Sequence, residues 1–100
     1  MANIKEMAEL GGAYILSHPV RASIVRLLRE NKKMYTTKIA KTLGLSDRLI
    51  AFHLSMLTTG GFVTSTYGKA NPPNPPRIVR YYELTKKVDQ TLDDFIKAIR

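Results

Sequence analysis

Residues 36–57, which read TTKIAKTLGLSDRLIAFHLSML, contain two short apolar patterns separated by a glycine. The first pattern predicts a short helix with apolar residues at Ile39, Ala40 and Leu43. That helix is expected to end at Gly44, because a residue without Cβ readily takes the left-handed conformation that ends helices. Ser46 can cap a second helix through its side-chain oxygen. The second helix repeats apolar residues at spacing i, i+4, i+7, at Ile50, Leu54 and Leu57.

Two helices joined by a three-residue turn that contains glycine form a helix-turn-helix. The second helix of such a motif can enter the major groove of DNA. The alternative is an ordinary helical hairpin within a small domain. The motif alone favours DNA binding over an ordinary helical hairpin but does not decide between them.

The basic residues are concentrated in the middle of the chain. The protein has 100 residues and a formal net charge of +8. Residues 18–87 hold 13 Lys and Arg against three acidic residues, a net charge of +10. Residues 1–17 and residues 88–100 each have a net charge of −1. A basic surface can serve solubility alone, but its coincidence with the helix-turn-helix favours a face that binds phosphate.

Composition excludes several classes of protein. The sequence has no cysteine, which excludes disulfides and thiolate metal sites. No run approaches the roughly 18 apolar residues that a membrane span needs, and we expect no signal peptide. A length of 100 residues suits one domain with a modest core. We therefore expect a single cytoplasmic domain, residues 1–100, with no membrane partner.

Helices are also predicted before the helix-turn-helix. Residues 2–16 carry an apolar stripe, and Gly11-Gly12 within it indicates either a break or the close approach of another helix. A second helix is expected to begin near Pro19 and to run to about Glu30. Its inward residues are expected to be Val20, Ile24, Leu27 and Leu28, with Arg21, Arg26 and Arg29 elsewhere. Thr36 or Thr37 is expected to cap the helix that precedes Gly44.

Two strands and a final helix are predicted after the helix-turn-helix. Residues 62–67 (FVTSTY) and 78–84 (IVRYYEL) are rich in β-branched and aromatic residues. The segment between them holds four of the five prolines, so it is expected to be a loop joining antiparallel strands. Tyr81 and Tyr82 should alternate across their strand, one of them on the core. The final helix, near residues 88–99, places Val88, Leu92, Phe95, Ile96 and Ile99 on one face.

A hairpin that follows a helix-turn-helix is the wing of a winged helix. The predicted fold class is therefore α+β, mainly helical: a winged helix-turn-helix with a two-stranded wing and flanking N- and C-terminal helices.

Three segments resemble the ArsR-like winged-helix transcriptional regulators, in particular their archaeal-looking branch without thiol sensors. Residues 18–28 (HPVRASIVRLL) are similar to the family's Asp/His-Pro-x-Arg opening of its second helix. Residues 38–46 (KIAKTLGLS), followed by His53, Leu54 and Leu57, resemble its helix-turn-helix. Residues 60–63 (GGFV) and 79–85 (VRYYELT) resemble its two wing strands. Multiple-antibiotic-resistance and leucine-responsive regulators share parts of this pattern.

The resemblance implies a homodimeric repressor or activator that binds double-stranded DNA. Its fourth helix would read the major groove, and its wing would touch flanking phosphate or the minor groove. Such proteins commonly dimerise through their first and last helices, here residues 1–17 and 88–100, although a monomer would use the same helices to complete its core. The candidate dimer residues are Ile4, Met7, Ile15, Leu92, Phe95, Ile96 and Ile99.

The residues expected to face DNA lie on the fourth helix, the third helix and the wing. By the alignment of the motif, the outward residues of the fourth helix are Ser46, Asp47, Arg48, Leu49, Ala51, Phe52 and Ser55. Arg48 can donate two hydrogen bonds to guanine, and the apolar residues can contact thymine methyl groups. The alternative is a rotated helix with Leu49 or Phe52 in the core. Candidate phosphate contacts are Lys38, Lys41, Lys69, Arg77 and Arg80, each of which could instead be a solvated charge.

Metal ligands and catalytic groups are sparse. Metal sensors in the resembling family use cysteines on the third helix, or histidines and carboxylates on the last, whereas this chain has only His18 and His53. The carboxylates of Asp89, Asp93 and Asp94 could suit a hard cation, but an acidic turn is more often a solvated face. We expect no metal and no cofactor, and a partly buried structural role for His53. No nucleophile–base motif indicates an enzyme.

Three functional classes remain, led by a sequence-specific transcription regulator. The second is an architectural, chromatin-like DNA-binding protein with little base preference, which an apolar reading helix and a high charge would suit. The third is a winged helix that binds proteins or RNA. The basic central segment argues against a module that binds only proteins. The sequence also lacks the pattern of aromatic residues that stack on bases in RNA-binding domains.

Overall fold

The helix-turn-helix and the hairpin lie where the sequence predicts them. The computed structural model describes residues 12–99, of which residues 12–17 are helical and form α1. The remaining elements, in order, are α2 (Pro19–Asn31), β1 (Lys33–Tyr35), α3 (Thr36–Leu43), α4 (Asp47–Thr59), β2 (Val63–Lys69), β3 (Ile78–Leu84) and α5 (Lys87–Ile99). The predicted stripe residues Ile4 and Met7 lie outside the described residues.

The turn between α3 and α4 forms as predicted. Gly44 ends α3 in the left-handed conformation, with φ of 70°, and its N–H donates to carbonyl groups of the preceding turn. Ser46 then caps α4, because its Oγ accepts a hydrogen bond from the backbone N–H of Leu49 at 3.1 Å. Together these two residues fix the angle at which α4 leaves the turn.

The sheet has three strands rather than the two predicted for the wing. The strand order is β1-β3-β2, and both pairs are antiparallel. Tyr35, the last residue of β1, pairs with Tyr81, and α3 begins at the next residue. The N-cap of α3 is therefore Tyr35, which makes no side-chain capping bond, and the predicted threonine cap is wrong.

One core lies between the helices and the base of the sheet. Its largest fully buried side chains are Phe62, Ile24, Leu28, Ile39, Ile50, Leu54, Leu57 and Val88. Val20 and Leu27 pack against this core only partly buried. The prediction that Arg21 lies away from the core is wrong. This residue is 8 % exposed and lies with Ile24 and Leu28 on the buried side of α2.

Gly12 allows α1 to approach α5 closely. A Cβ atom at this position would lie 2.9 Å from Cγ2 of Thr91 and 3.3 Å from the ring of Phe62. Of the two explanations for glycine in the first helix, the structure supports close packing at Gly12. Gly11 lies outside the described residues.

Candidate nucleic-acid interface

The two sides of α4 differ sharply in burial. Ile50, Leu54 and Leu57 are fully buried and hold the helix on the core. The residues predicted to face outward are all exposed: Ser46, Asp47, Arg48, Leu49, Ala51, Phe52 and Ser55. Leu49 is 38 % exposed and Phe52 is 55 % exposed, so the alternative that a rotated helix buries either residue is wrong. The helix presents one continuous face of mixed polar and apolar side chains to solvent.

The candidate phosphate-binding cations lie on α3 and the wing, and none of them pairs with an acidic residue among residues 12–99. Lys38, Lys41, Lys69, Arg77 and Arg80 are all exposed. Within residues 12–99, the single ion pair joins Arg29 to Asp89, on the side of the molecule formed by α2 and α5. The positive charge of α3 and the wing is therefore not neutralised by ion pairs within the described chain, which is the electrostatic condition for binding a polyanion.

The two arginines of the wing contact different tyrosines. The guanidinium of Arg77 lies over the ring of Tyr35, with Cζ 5.6 Å from the ring centroid. Arg80 contacts Tyr67, with Nη2 donating to the Tyr67 hydroxyl at 2.7 Å. Tyr82 packs against the core, and Tyr81 lies edge-on to Tyr35 on the other side of β3. The predicted alternation of the two tyrosines is confirmed.

A buried polar cluster lies on the core side of α4. His53 is 3 % exposed, and its Nδ1 accepts a hydrogen bond from Nε of Arg21 at 3.1 Å. Nη1 of Arg21 also donates to the carbonyl oxygen of Ile15 at 3.1 Å. The ring of His18, the N-cap residue of α2, lies 4.5 Å from the His53 ring. The cluster joins α1, α2 and α4, so the predicted structural role of His53 fits its position.

The buried position of Arg21 was not predicted, although the sequence of α2 contains a signal for it. Arg21, Ile24, Val25 and Leu28 follow the spacing i, i+3, i+4, i+7 of a buried helical stripe, and all four are buried. An arginine at a stripe position requires a buried acceptor. The acceptors, His53 and the Ile15 carbonyl, lie on other elements, and the sequence pattern of α2 alone does not identify them.

We predict that this cluster makes stability depend on pH. Burial, and then the nearby charges of His18 and Arg21, lowers the pKa of His53 below 6.5. The unfolded chain therefore takes up this proton more readily than the folded protein. The stabilising contribution is complete above about pH 6.5 and is lost as the pH falls through the folded-state pKa. Denaturant unfolding should give a free energy that decreases between about pH 7 and pH 5.

The matched variant is His53→Gln, since the amide oxygen of glutamine can still accept from Arg21 but does not titrate. This variant should show a flatter dependence over the same pH range. Parallel curves for the wild type and His53→Gln would contradict this role for His53.

Residues 12–99 contain no group of three or more His, Asp or Glu side chains placed to hold a metal ion. None of the helices described has the length and apolar character needed to cross a membrane.

Comparison with known proteins identifies the family and the fold. A model of the helix-turn-helix domain matches residues 16–66, which run from the end of α1 into β2. No curated protein matches the chain in sequence. A transcriptional regulator homologue from Pyrococcus horikoshii OT3 is 24 % identical, with a TM-score of 0.66 over 96 % of this chain and 95 % of that one.

Two further solved structures share the fold. A "possible transcriptional regulatory protein" from Mycobacterium bovis is 19 % identical, with a TM-score of 0.65 over 96 % of this chain and 91 % of that one. Diamide-treated YodB from Bacillus subtilis is 19 % identical, with a TM-score of 0.66 over 98 % of this chain and 91 % of that one.

At these identities the structures establish a shared α+β winged-helix architecture. The matched model covers half of the chain, and the protein belongs to the helix-turn-helix domain family.

Proposed function

We propose that this protein is a sequence-specific regulator of transcription that binds double-stranded DNA as a homodimer. The observation that carries the proposal is the exposed face of α4, bordered by cations that have no acidic partner among the described residues. Binding would place α4 in the major groove, because its buried side packs on the core and its outer side is exposed to solvent.

Each residue of the exposed face has a chemistry that suits a base or a phosphate. Arg48 can donate two hydrogen bonds to O6 and N7 of guanine, and Asp47 can accept from N4 of cytosine. Leu49 and Phe52 can contact thymine methyl groups. Ser46, Ser55 and the cations of α3 and the wing would hold phosphate oxygens and set the position of α4 along the groove.

Arg48→Ala tests the division between base and phosphate contacts. At a site selected from random duplexes, this substitution should cost about 1–3 kcal/mol and relax base preference at one position. Lys69→Ala, on the wing, should weaken binding to all sequences alike. The measurement is the affinity of both variants for the selected site and for each single-base change in it. A uniform loss of affinity in both variants would show that Arg48 does not read a base.

The homodimer is supported by an apolar surface on α1 and α5. Leu92, Phe95, Ile96 and Ile99 are 36 %, 36 %, 45 % and 67 % exposed, and Tyr14 on α1 is 77 % exposed. A groove of about 330 Å³ lies between the two helices, lined by Ala13, Tyr14, Leu16, Ser17, Leu92 and Phe95. Monomeric proteins rarely expose a continuous apolar surface of this kind.

The charge distribution favours a second copy of the chain as the partner of this apolar surface. Residues 88–100 have a net charge of −1, whereas residues 18–87 have +10, so two copies repel each other least at this end. Ile15, one of the candidate dimer residues, packs against the core of its own chain, and the proposed interface rests on the exposed residues of α5. Two-fold pairing would match an inverted-repeat operator with half-sites about 10 base pairs apart.

The ArsR-like subtype is part of this proposal, and so is a cytoplasmic location. The His18-Pro19 opening of α2 and the His53-Leu54 pair of α4 support the subtype. The alternative function is a low-specificity architectural DNA-binding protein. It is favoured by one observation, the apolar character of Leu49, Ala51 and Phe52 on the exposed face of α4.

A further inference from the structure

The buried ring of His53 contacts an exposed aromatic residue of α4 as well as the arginine below it. The ring of Phe52 lies edge-on to that of His53, with the centroids 5.2 Å apart and the planes at 69°. Nδ1 of His53 accepts from Nε of Arg21 at 3.1 Å. Phe52 is 55 % exposed on the face proposed to read bases, whereas His53 is 3 % exposed. A change at His53 can therefore reach the exposed face of α4 through a direct contact.

The hydrogen bond between Arg21 and His53 requires a neutral imidazole. An imidazolium carries a proton on both ring nitrogens and has no acceptor left. Because Nε of Arg21 donates to Nδ1, protonation of His53 removes this bond and sets two positive charges side by side. Nη1 of Arg21 remains bound to the carbonyl oxygen of Ile15, whereas the His53 side chain makes no second hydrogen bond among residues 12–99. The His53 ring is therefore the group that moves when it is charged.

The surroundings of His53 do not stabilise a positive charge. The titratable and charged groups that face it are His18 and Arg21, both from α2, and α1 contributes only the carbonyl group of Ile15 to the cluster. Within the described part of the chain, α3 and β2 also pack on α4, and neither presents a charged group to the ring. Burial, and then these two basic neighbours, lowers the pKa of His53. Without a facing carboxylate, the charged ring is unfavourable where it lies.

Movement of the His53 ring displaces the side chain packed on it. Phe52 is exposed on its outer side, and the His53 ring is its aromatic partner within the protein. A residue that reads a ligand must be held within about 0.5 Å of its productive position by the residues packed behind it. Displacement of Phe52 thus removes a contact with a base edge. The cations of α3 and the wing make phosphate contacts that do not depend on this ring.

We infer that His53 is the positioning residue of Phe52, and that a proton on His53 relaxes base selection at the position Phe52 contacts while phosphate binding persists. The protein is then selective for its site when this imidazole is neutral and less selective when it is charged. The inference rests on the proposed function, because it requires α4 to read bases.

The test is the ratio of the affinities for a selected site and for an unselected duplex. It is measured at about pH 7.5 and about pH 5, on either side of the ordinary histidine pKa of about 6.5. The ratio cancels the stronger phosphate attraction that added positive charge brings, because both duplexes share it. The wild type should lose about tenfold in this ratio for each half-site on going to the lower pH. The loss should fall on the base pair whose identity ceases to matter in Phe52→Ala at the higher pH.

Two variants assign the proton to one of the two histidines of the chain. His53→Gln can still accept from Arg21 but does not titrate, so its ratio should be the same at both pH values. His18→Asn keeps a residue type that caps helices at the start of α2, and it should retain the pH response of the wild type. Circular dichroism at both pH values shows whether each protein is folded.

A measurement on the unaltered protein tests the inference without any variant. If selective binding requires a neutral His53, binding to the selected site near about pH 6 should release protons, at most about one for each chain. Titration calorimetry in buffers of different ionisation enthalpy measures this number. Binding to the unselected duplex should release none, because that complex does not require the neutral ring.

Three results would overturn the inference. The first is a wild-type ratio that is the same at both pH values, and the second is a folded His53→Gln variant that keeps the wild-type response. The third is a pH-sensitive base pair other than the one that Phe52→Ala affects. In all three cases the selectivity at about pH 7.5 would remain about 10³ or more, and the proposed function would stand. A ratio near ten at that pH would refute the proposed function and this inference together.

Discussion

Replacing Leu92 and Phe95 with glutamate should convert the protein from a dimer to a monomer. It should also lower the affinity for an inverted repeat by about 10²–10⁴-fold, because the second half-site would no longer be bound as part of the same complex. The two side chains lie on the exposed apolar face of α5, beside the groove that α5 forms with α1. Glutamate there would place unpaired negative charge in the proposed interface, and burying such charge is strongly unfavourable.

Light scattering at tens of micromolar protein measures the molar mass. Comparing the affinities for DNA with one half-site and with two half-sites measures the loss of coupling between the half-sites. Gln90→Glu is a suitable control, since it adds a negative charge to the exposed side of α5 opposite Leu92 and Phe95. This variant should remain dimeric. A wild-type mass of one chain would refute the dimer, and a dimeric double mutant would place the interface elsewhere.

Raising the salt concentration from about 50 mM to 200 mM should lower the affinity for DNA by about 10³–10⁵-fold. The reason is that bound phosphates release counterions, and the loss grows with the number of phosphates neutralised. Each chain offers the exposed cations Lys38, Lys41, Lys69, Arg77 and Arg80, so a dimer can make on the order of ten such contacts.

The slope of log affinity against log salt concentration gives the number of contacts. Lys41→Ala should reduce that slope by about one for each chain bound. Lys97→Ala, at the far end of α5, should leave the slope unchanged. An affinity that barely responds to salt would contradict a phosphate-binding role for these cations.

Local sequence pattern was sufficient to predict the helix-turn-helix. Gly44 and Ser46 specify the ends of α3 and α4 through backbone conformation and capping, and both effects act within a few residues. The spacing of Ile50, Leu54 and Leu57 identified the buried side of α4, and hence the outward residues on the opposite side.

Features that depend on contacts between distant parts of the chain were not predicted, or were predicted only in part. The third strand is only three residues long, and it forms because Lys33–Tyr35 pairs with β3 more than 40 residues later. The burial of Arg21 depends on His53, 32 positions along the chain. The path of the proline-rich loop depends on Tyr35, whose hydroxyl donates to the carbonyl oxygen of Asn71, 36 positions later in the chain.

We propose that this helix-turn-helix protein recognises a particular DNA sequence. The most direct measurement is the ratio of two affinities of the wild type at physiological salt, one for a site selected from random duplexes and one for unselected duplex of equal length. We expect a ratio of about 10³ or more, the range typical of sequence-specific regulators. A ratio near ten would contradict it and favour an architectural DNA-binding protein, and no detectable binding to duplex at about 50 mM salt would contradict DNA binding altogether.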